Sequence, residues 1–117
     1  MKRSSTYILD EFLRKRREEN EKERKRILLK VKETLIKIRN KYGIEGAFVL
    51  GSLIKPYRWG KFSDVDIAVE GASKYILDIM KEIEDVTNCS VDVIDLDRHP
   101  LKDYIKRKGI KIYGRED

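Results

Sequence analysis

The chain has 117 residues, the size of one small domain, with 41% charged and 40% hydrophobic residues. The hydrophobic share excludes wholesale disorder, and a mean hydropathy of −0.60 fits a well-solvated fold. A net charge of +6 and a pI near 9.4 favour polyanionic partners: nucleotides, nucleic acid or an acidic protein surface. One cysteine, Cys89, rules out an intrachain disulfide and fits a reducing compartment. With no signal-peptide h-region and no run near the roughly 20 apolar residues of a membrane span, a cytoplasmic protein without a membrane partner is expected.

In chain order, the first forty residues carry no Gly or Pro and read as helical. Ile27, Leu28, Val31, Leu35 and Ile38 recur at three- and four-residue spacing and predict one core-facing stripe. Upstream, Tyr7, Ile8, Phe12 and Leu13 make a shorter apolar patch. Between the two, Arg14 to Arg26 holds eight basic residues against four glutamates. Glu18–Lys22 and Glu21–Lys25 have the i,i+4 order that supports a solvated helix face. The chain thus divides into a charged N-terminal helix, 1–26, suited to a partner or homo-oligomer contact, and a domain over 27–117. The pattern leaves open whether one helix runs through the junction.

Gly43 and Gly46 end the helical region, and Ala47 to Leu50 predicts a short buried strand stopping at Gly51-Ser52. Residues 53–63 form a loop with Pro56, Gly60 and exposed aromatics. Val65 to Val69 predicts a second strand, and Gly71 ends it. Ile76, Leu77, Ile79, Met80 and Ile83 give a helical face capped by Ser73. Val91 to Leu96 predicts a third strand that carries Asp92 and Asp95. A short helix from Pro100 to Arg107, closed by Gly109, and a last strand at Ile110 to Tyr113 complete the chain. The order α-β-β-α-β-α-β predicts an α/β or α+β fold, a small mixed sheet with helices on one side.

Residues 48–69 carry the chemical signal. On a strand, Asp64 and Asp66 project to one face while Val65 and Ile67 turn to the core. Two carboxylates that close repel each other. A hard cation such as Mg²⁺ relieves the repulsion and also binds substrate phosphates. Gly51, directly after a strand, lets backbone approach a ligand, and the Ser52 hydroxyl can donate to a phosphate oxygen. Main-chain N–H groups at such a turn form an anion-binding concavity, to which Lys55, Arg58 and Lys61 add charge for a triphosphate. Gly-Ser alone is a common turn pair. A strand ending in Gly-Ser, a loop, and Ser-Asp-x-Asp opening the next strand form a far more specific pattern.

Gly51-Ser52 followed by Ser63-Asp64-Val65-Asp66 resembles the signature of the DNA polymerase β nucleotidyltransferase superfamily. The short length resembles its minimal, MntA-like branch, and the resemblance spans about residues 27–113. It implies a polymerase-β-like fold with a third aspartate on a later strand in a Val-Asp-Val context. Ser90-Val91-Asp92-Val93 matches, which implies that role for Asp92. The implied reaction transfers a nucleoside monophosphate, AMP from ATP or another NTP, to a hydroxyl and releases pyrophosphate. Asp64 and Asp66 would ligate two Mg²⁺ ions, and Asp92 would ligate one and help deprotonate the acceptor. Gly51, Ser52, Ser63, Lys55 and Arg58 would bind the nucleotide phosphates. The resemblance also implies a HEPN-domain ribonuclease as partner, a toxin that its antitoxin neutralises by adenylylating a tyrosine or by binding alone. Ile54-Lys55-Pro56 departs from the Ala-Arg-Gly of many minimal members, in a slightly longer loop, while the three carboxylates are unaffected.

Plainer readings stand beside these. Asp64 and Asp66 are also what surface acids at a strand start look like, and Ser52 what a turn residue looks like; their joint spacing favours chemistry. An acid inside an apolar strand is costly unless paired or metal-bound, which favours a functional Asp92. Asp95 alternates to the opposite face and, with Asp97, reads as the strand's end. His99 reads as a solvated loop residue and Cys89 as a partly buried filler with no zinc pattern around it. Tyr57, Trp59 and Phe62 either stack on a base or partner, or cover the loop against the core. Three alternatives to a protein-modifying enzyme remain: a catalytically weak module that masks its partner, a small-molecule transferase, and an RNA-tailing enzyme. The second lacks an enclosing domain, and the third lacks an aromatic-interleaved RNA motif.

Overall fold

A computed structural model describes residues 5–114. Residues 1–4 of the expected N-terminal segment and 115–117 of the expected domain lie outside the described residues.

A tract free of Gly and Pro forms one continuous helix, α1 (Ser5–Tyr42). It answers the question of continuity: both apolar patches lie on a single rod. The rod stops where Gly43 takes φ 65° and the Ile44 N–H closes back on the Arg39 carbonyl at 2.9 Å. Four strands follow: β1 (Gly46–Leu50), β2 (Val65–Glu70), β3 (Val91–Asp95) and β4 (Ile110–Tyr113). Between β2 and β3 lies α2 (Ile76–Thr87), and before β4 lies α3 (Lys102–Lys108). The sheet order is β3-β2-β1-β4, with β2 and β3 parallel and the other pairs antiparallel. The expected mixed sheet flanked by helices is present. No helix among the described residues is long and apolar enough to cross a membrane.

Period-two alternation divides the sheet into two faces. Ala47, Val49, Val65, Ile67, Val69 and Val91 join Ile27, Val31, Leu35 and Ile38 of α1 and Ile79 and Ile83 of α2 in the main core. The helices do not all lie on that side. Phe48, Ala68 and Leu96 form a second apolar cluster, covered by Ile105 of α3. The reason is visible in β1 and β2, whose second faces are also apolar and need cover.

Local details differ from expectation in three places. Ser73 does not cap α2; it sits in a 3-10 turn (Ser73–Tyr75), where the Tyr75 N–H is already satisfied by the Ala72 carbonyl at 2.9 Å. The loop after β1 opens with a 3-10 turn (Gly51–Ile54) that buries Leu53. Of its aromatics only Tyr57 and Phe62 are exposed; Trp59 is 8% exposed and belongs to the core.

The charged stretch of α1 is also not wholly solvated. Glu18 pairs with Arg14 at 3.0 Å, and Glu23 pairs with Arg26. Glu21 pairs with Arg24 through two bonds of 2.8 and 2.7 Å, rather than with Lys25. The planar guanidinium presents a fork that matches both carboxylate oxygens, which an ammonium cannot do. Arg24 also donates to the Leu53 carbonyl at 2.9 Å, and the Tyr57 N–H donates to Glu21 Oε1 at 2.8 Å. Both charged side chains are only 8% exposed.

Two outcomes follow from this packing. Leu35 is fully buried, so Leu35→Ala is expected to cost roughly 2–5 kcal/mol in urea unfolding, whereas Phe12→Ala, on the exposed overhang, is expected to cost almost nothing. The Arg24 guanidinium, then the Tyr57 N–H, hold the Glu21 carboxyl down from 4.5 to about 2. A depressed acid stabilises the fold above its ordinary value and loses that contribution as pH falls towards the depressed one. Urea midpoints should therefore fall from pH 4.5 down to about 2, and Glu21→Gln should flatten that segment of the profile.

Candidate functional site

Strand register brings two of the three aspartates level. Leu50, the last residue of β1, lies opposite Asp66 on β2, and Asp66 lies opposite Asp92 on the parallel strand β3. Alternation puts Asp66 and Asp92 on the face of Ala68 and Ile94, away from Val65, Ile67, Val91 and Val93. Asp64 immediately precedes β2. Asp64 and Asp92 are exposed, and Asp66 between them is half-buried.

Burial, followed by the charges of Asp92 and Asp64, pushes the Asp66 carboxyl above its ordinary value. Among the described residues no hydrogen bond or ion pair reaches any of the three carboxylates. Nor do any three acidic, imidazole or thiol groups among them close into a ready cation cage. The site is thus an uncompensated set of oxygen donors around one desolvated carboxylate.

Gly51 is wedged against that carboxylate. It adopts φ 70°, and a Cβ there would sit 2.5 Å from Asp66 Oδ2. The turn it begins exposes Ser52, Lys55 and Arg58 around an open cavity of about 530 Å³. Lys55 also lines an adjoining cavity of about 420 Å³ with Gly51, Tyr104 and Lys108. These two α3 residues escaped the sequence reading; the basic run Lys106–Lys108 is the only signal that could have found them.

The other expected residues lie elsewhere. Lys61 lines a separate cavity of about 590 Å³ between α1 and the turn before β3, with Asp64 and Ser63 at its rim. The Ser63 hydroxyl oxygen accepts from the Gly60 N–H at 2.9 Å, so it shapes the turn that leads into Asp64. Cys89 is half-buried with Sγ against the Thr87 carbonyl, and His99 Nδ1 accepts from the Leu101 N–H. Asp95 accepts from the Asp97 N–H, and Asp97 from the Gly71 N–H, which assigns both to the end of β3.

A family model described as polymerase beta, nucleotidyltransferase matches residues 33–117. The chain belongs to that family. Both halves of the Gly-Ser and Asp-x-Asp pattern, and Asp92, fall inside the matched nucleotidyltransferase segment, whereas α1 up to residue 32 lies outside it. The fold is similar to that of a toxin–antitoxin crystal structure with AMP-PNP, with TM-score 0.61 at 19% identity over 73% of this chain and 74% of that one. It is also similar to a chain of the MntA–HepT toxin–antitoxin, with TM-score 0.54 at 18% identity over 73% and 71%. A third likeness is to a complex of tri-AMPylated Shewanella oneidensis HEPN toxin with MNT antitoxin, with TM-score 0.54 at 19% identity over 73% and 71%. No curated protein is recognisably similar in sequence.

Two glycines of this nucleotidyltransferase test the geometry against each other. Gly51→Ala combines a positive φ with a clash at Asp66 and is expected to cost about 1–3 kcal/mol. Gly60→Ala meets nothing within 4 Å and is expected to be near neutral. Thermal melts of the two variants read the difference directly.

Proposed function

We propose that the chain is a metal-dependent nucleotidyltransferase that moves AMP from ATP onto a protein hydroxyl, a tyrosine of a HEPN toxin, as the antitoxin of that pair. The observation that supports this is the register Leu50–Asp66–Asp92, which sets two carboxylates level at the end of β1, with Asp64 immediately before β2. The donor set fits Mg²⁺: it is all oxygen and anionic, with no cation among the described residues to balance it. Bound by Asp64, Asp66 and Asp92, the metal supplies charge neutralisation to the phosphoryl oxygens.

The protein's own groups do the rest. The Gly51 turn presents backbone N–H groups, and Ser52, Lys55 and Arg58 hold the triphosphate. Asp92, exposed beside Asp66, accepts the proton of the acceptor hydroxyl. Rigid strands carry Asp66 and Asp92, so little reorganisation accompanies transfer. The domain proper spans 27–117, and the charged segment 1–26 extends it towards the partner, in a cytoplasmic protein. Support for the partner comes from the fold's likeness to chains of HEPN toxin complexes and from Ile8 and Phe12, exposed on the helix overhang.

The test is incubation with α-labelled ATP and Mg²⁺, with and without the HEPN-domain protein. Label should reach the toxin, and Asp64→Asn/Asp66→Asn should lower its rate by about 100-fold or more. A tight complex in which no label moves would replace the enzyme with a module that acts by masking its partner.

A further inference from the structure

The loop that carries Ser52, Lys55 and Arg58 is anchored in the core by Leu53 and Trp59, and the stretch between them is exposed apart from half-buried Ile54. It runs from the Gly51 turn through Pro56, and Tyr57 holds φ 61°, a left-handed conformation unfavourable for a bulky side chain. Its backbone is also fastened to α1. Arg24 donates to the Leu53 carbonyl at 2.9 Å, Glu21 accepts the Tyr57 N–H at 2.8 Å, and the two ends join in a bidentate ion pair. The Arg17 guanidinium lies over the Tyr57 ring, 5.0 Å from its centroid. Glu21 and Arg24 are thus buried charges whose partners are each other and the loop backbone.

Those two backbone contacts lie on either side of Lys55. Leu53 and Tyr57 flank Lys55, and Arg58 follows directly. The clamp lies in the part of α1 that the family match leaves out. We propose that Glu21 and Arg24 are positioning residues for nucleotide binding, acting through the backbone of residues 53–57 to hold Lys55 and Arg58 at the triphosphate. The idea rests on the reading of this loop as the phosphate site. It gives the charged helix a role in the reaction and not only in partner contact. The pair grips the backbone on both sides of Lys55 and next to Arg58.

The clamp predicts a division between kinetic parameters. An undocked loop still reaches the triphosphate but samples other positions, so affinity falls while the carboxylate centre is unchanged. In the full-length protein, Glu21→Ala is expected to raise KM for Mg²⁺-ATP about tenfold with kcat at saturation unaltered. Arg24→Lys keeps the charge but loses the fork, and is expected to give a smaller rise of about threefold. Glu11→Ala removes an exposed ion pair with Arg14 on the same helix and should leave KM as it is. Hydrogen exchange at the Tyr57 amide should accelerate in Glu21→Ala with no nucleotide present.

Each outcome decides something. A fall in kcat at constant KM, as from a smaller folded fraction, would overturn the positioning role. So would wild-type KM in Arg24→Lys if Glu21→Ala fails to fold. Faster Tyr57 exchange without a change in KM would mean that the clamp holds the loop but the loop does not hold nucleotide. A wild-type chain that binds no ATP would sink the phosphate-site reading itself, and this inference with it.

Discussion

The carboxylate of Asp66 is constrained from several sides at once. It lies on a strand whose alternate residues are fully buried, so its direction is set by Val65 and Ile67. Its neighbour across the parallel ladder is another acid, and the residue before its strand is a third. Gly51 stands so close that no side chain fits between. Burial and like charge together disfavour the ionised form, and no group among the described residues relieves it. Such an arrangement opposes stability and persists because the core on the other face holds the strands in place.

From that point the remaining architecture follows. β1 must end beside β2's first turn of acids, which requires the antiparallel pairing that sets Leu50 against Asp66. β3 must run parallel to β2 to bring Asp92 level with Asp66, and α2 supplies the crossover that a parallel neighbour requires. The second face of the sheet, where the acids lie, is apolar further along, and α3 covers it while bringing Tyr104 and Lys108 to the cavity beside Gly51. α1 serves both ends: Ile27 to Ile38 seal the main core, and Glu21 with Arg24 fasten the loop after β1.

Much of this was legible in the residues. All four strands, α2 and α3 follow from apolar periodicity and glycine punctuation, as do the two apolar patches of α1 though not its continuity, because burial selects those patterns directly. The Gly-Ser and Asp-x-Asp pairs were legible for a related reason: a turn that tolerates no Cβ and two acids spaced for one face are local demands. The errors and open choices arose where a residue's environment depends on a distant segment. Trp59 reads either as an exposed loop aromatic or as cover for the core, and only the fold of the loop back onto the core decides for the second. Ser73 has the right chemistry for a cap, but backbone already occupied the amide it would have served. Glu21 and Arg24 sit in a run of charge where composition predicts solvent. Only the approach of Leu53 and Tyr57, some thirty positions away, gives them partners.

The sequence by itself therefore determined the strands, their order and the Gly-Ser and Asp-x-Asp pattern that resembles the family, since each rests on local spacing. Only the tertiary structure decided which acids meet, because register between strands is set by core packing and not by either strand alone. It also decided that a third helix covers the sheet's second face, that Lys61 stands apart from Lys55 and Arg58, and that a charged helix holds a loop in place. These are contacts between residues far apart in the chain, and they form only when burial of the shared core brings their segments together.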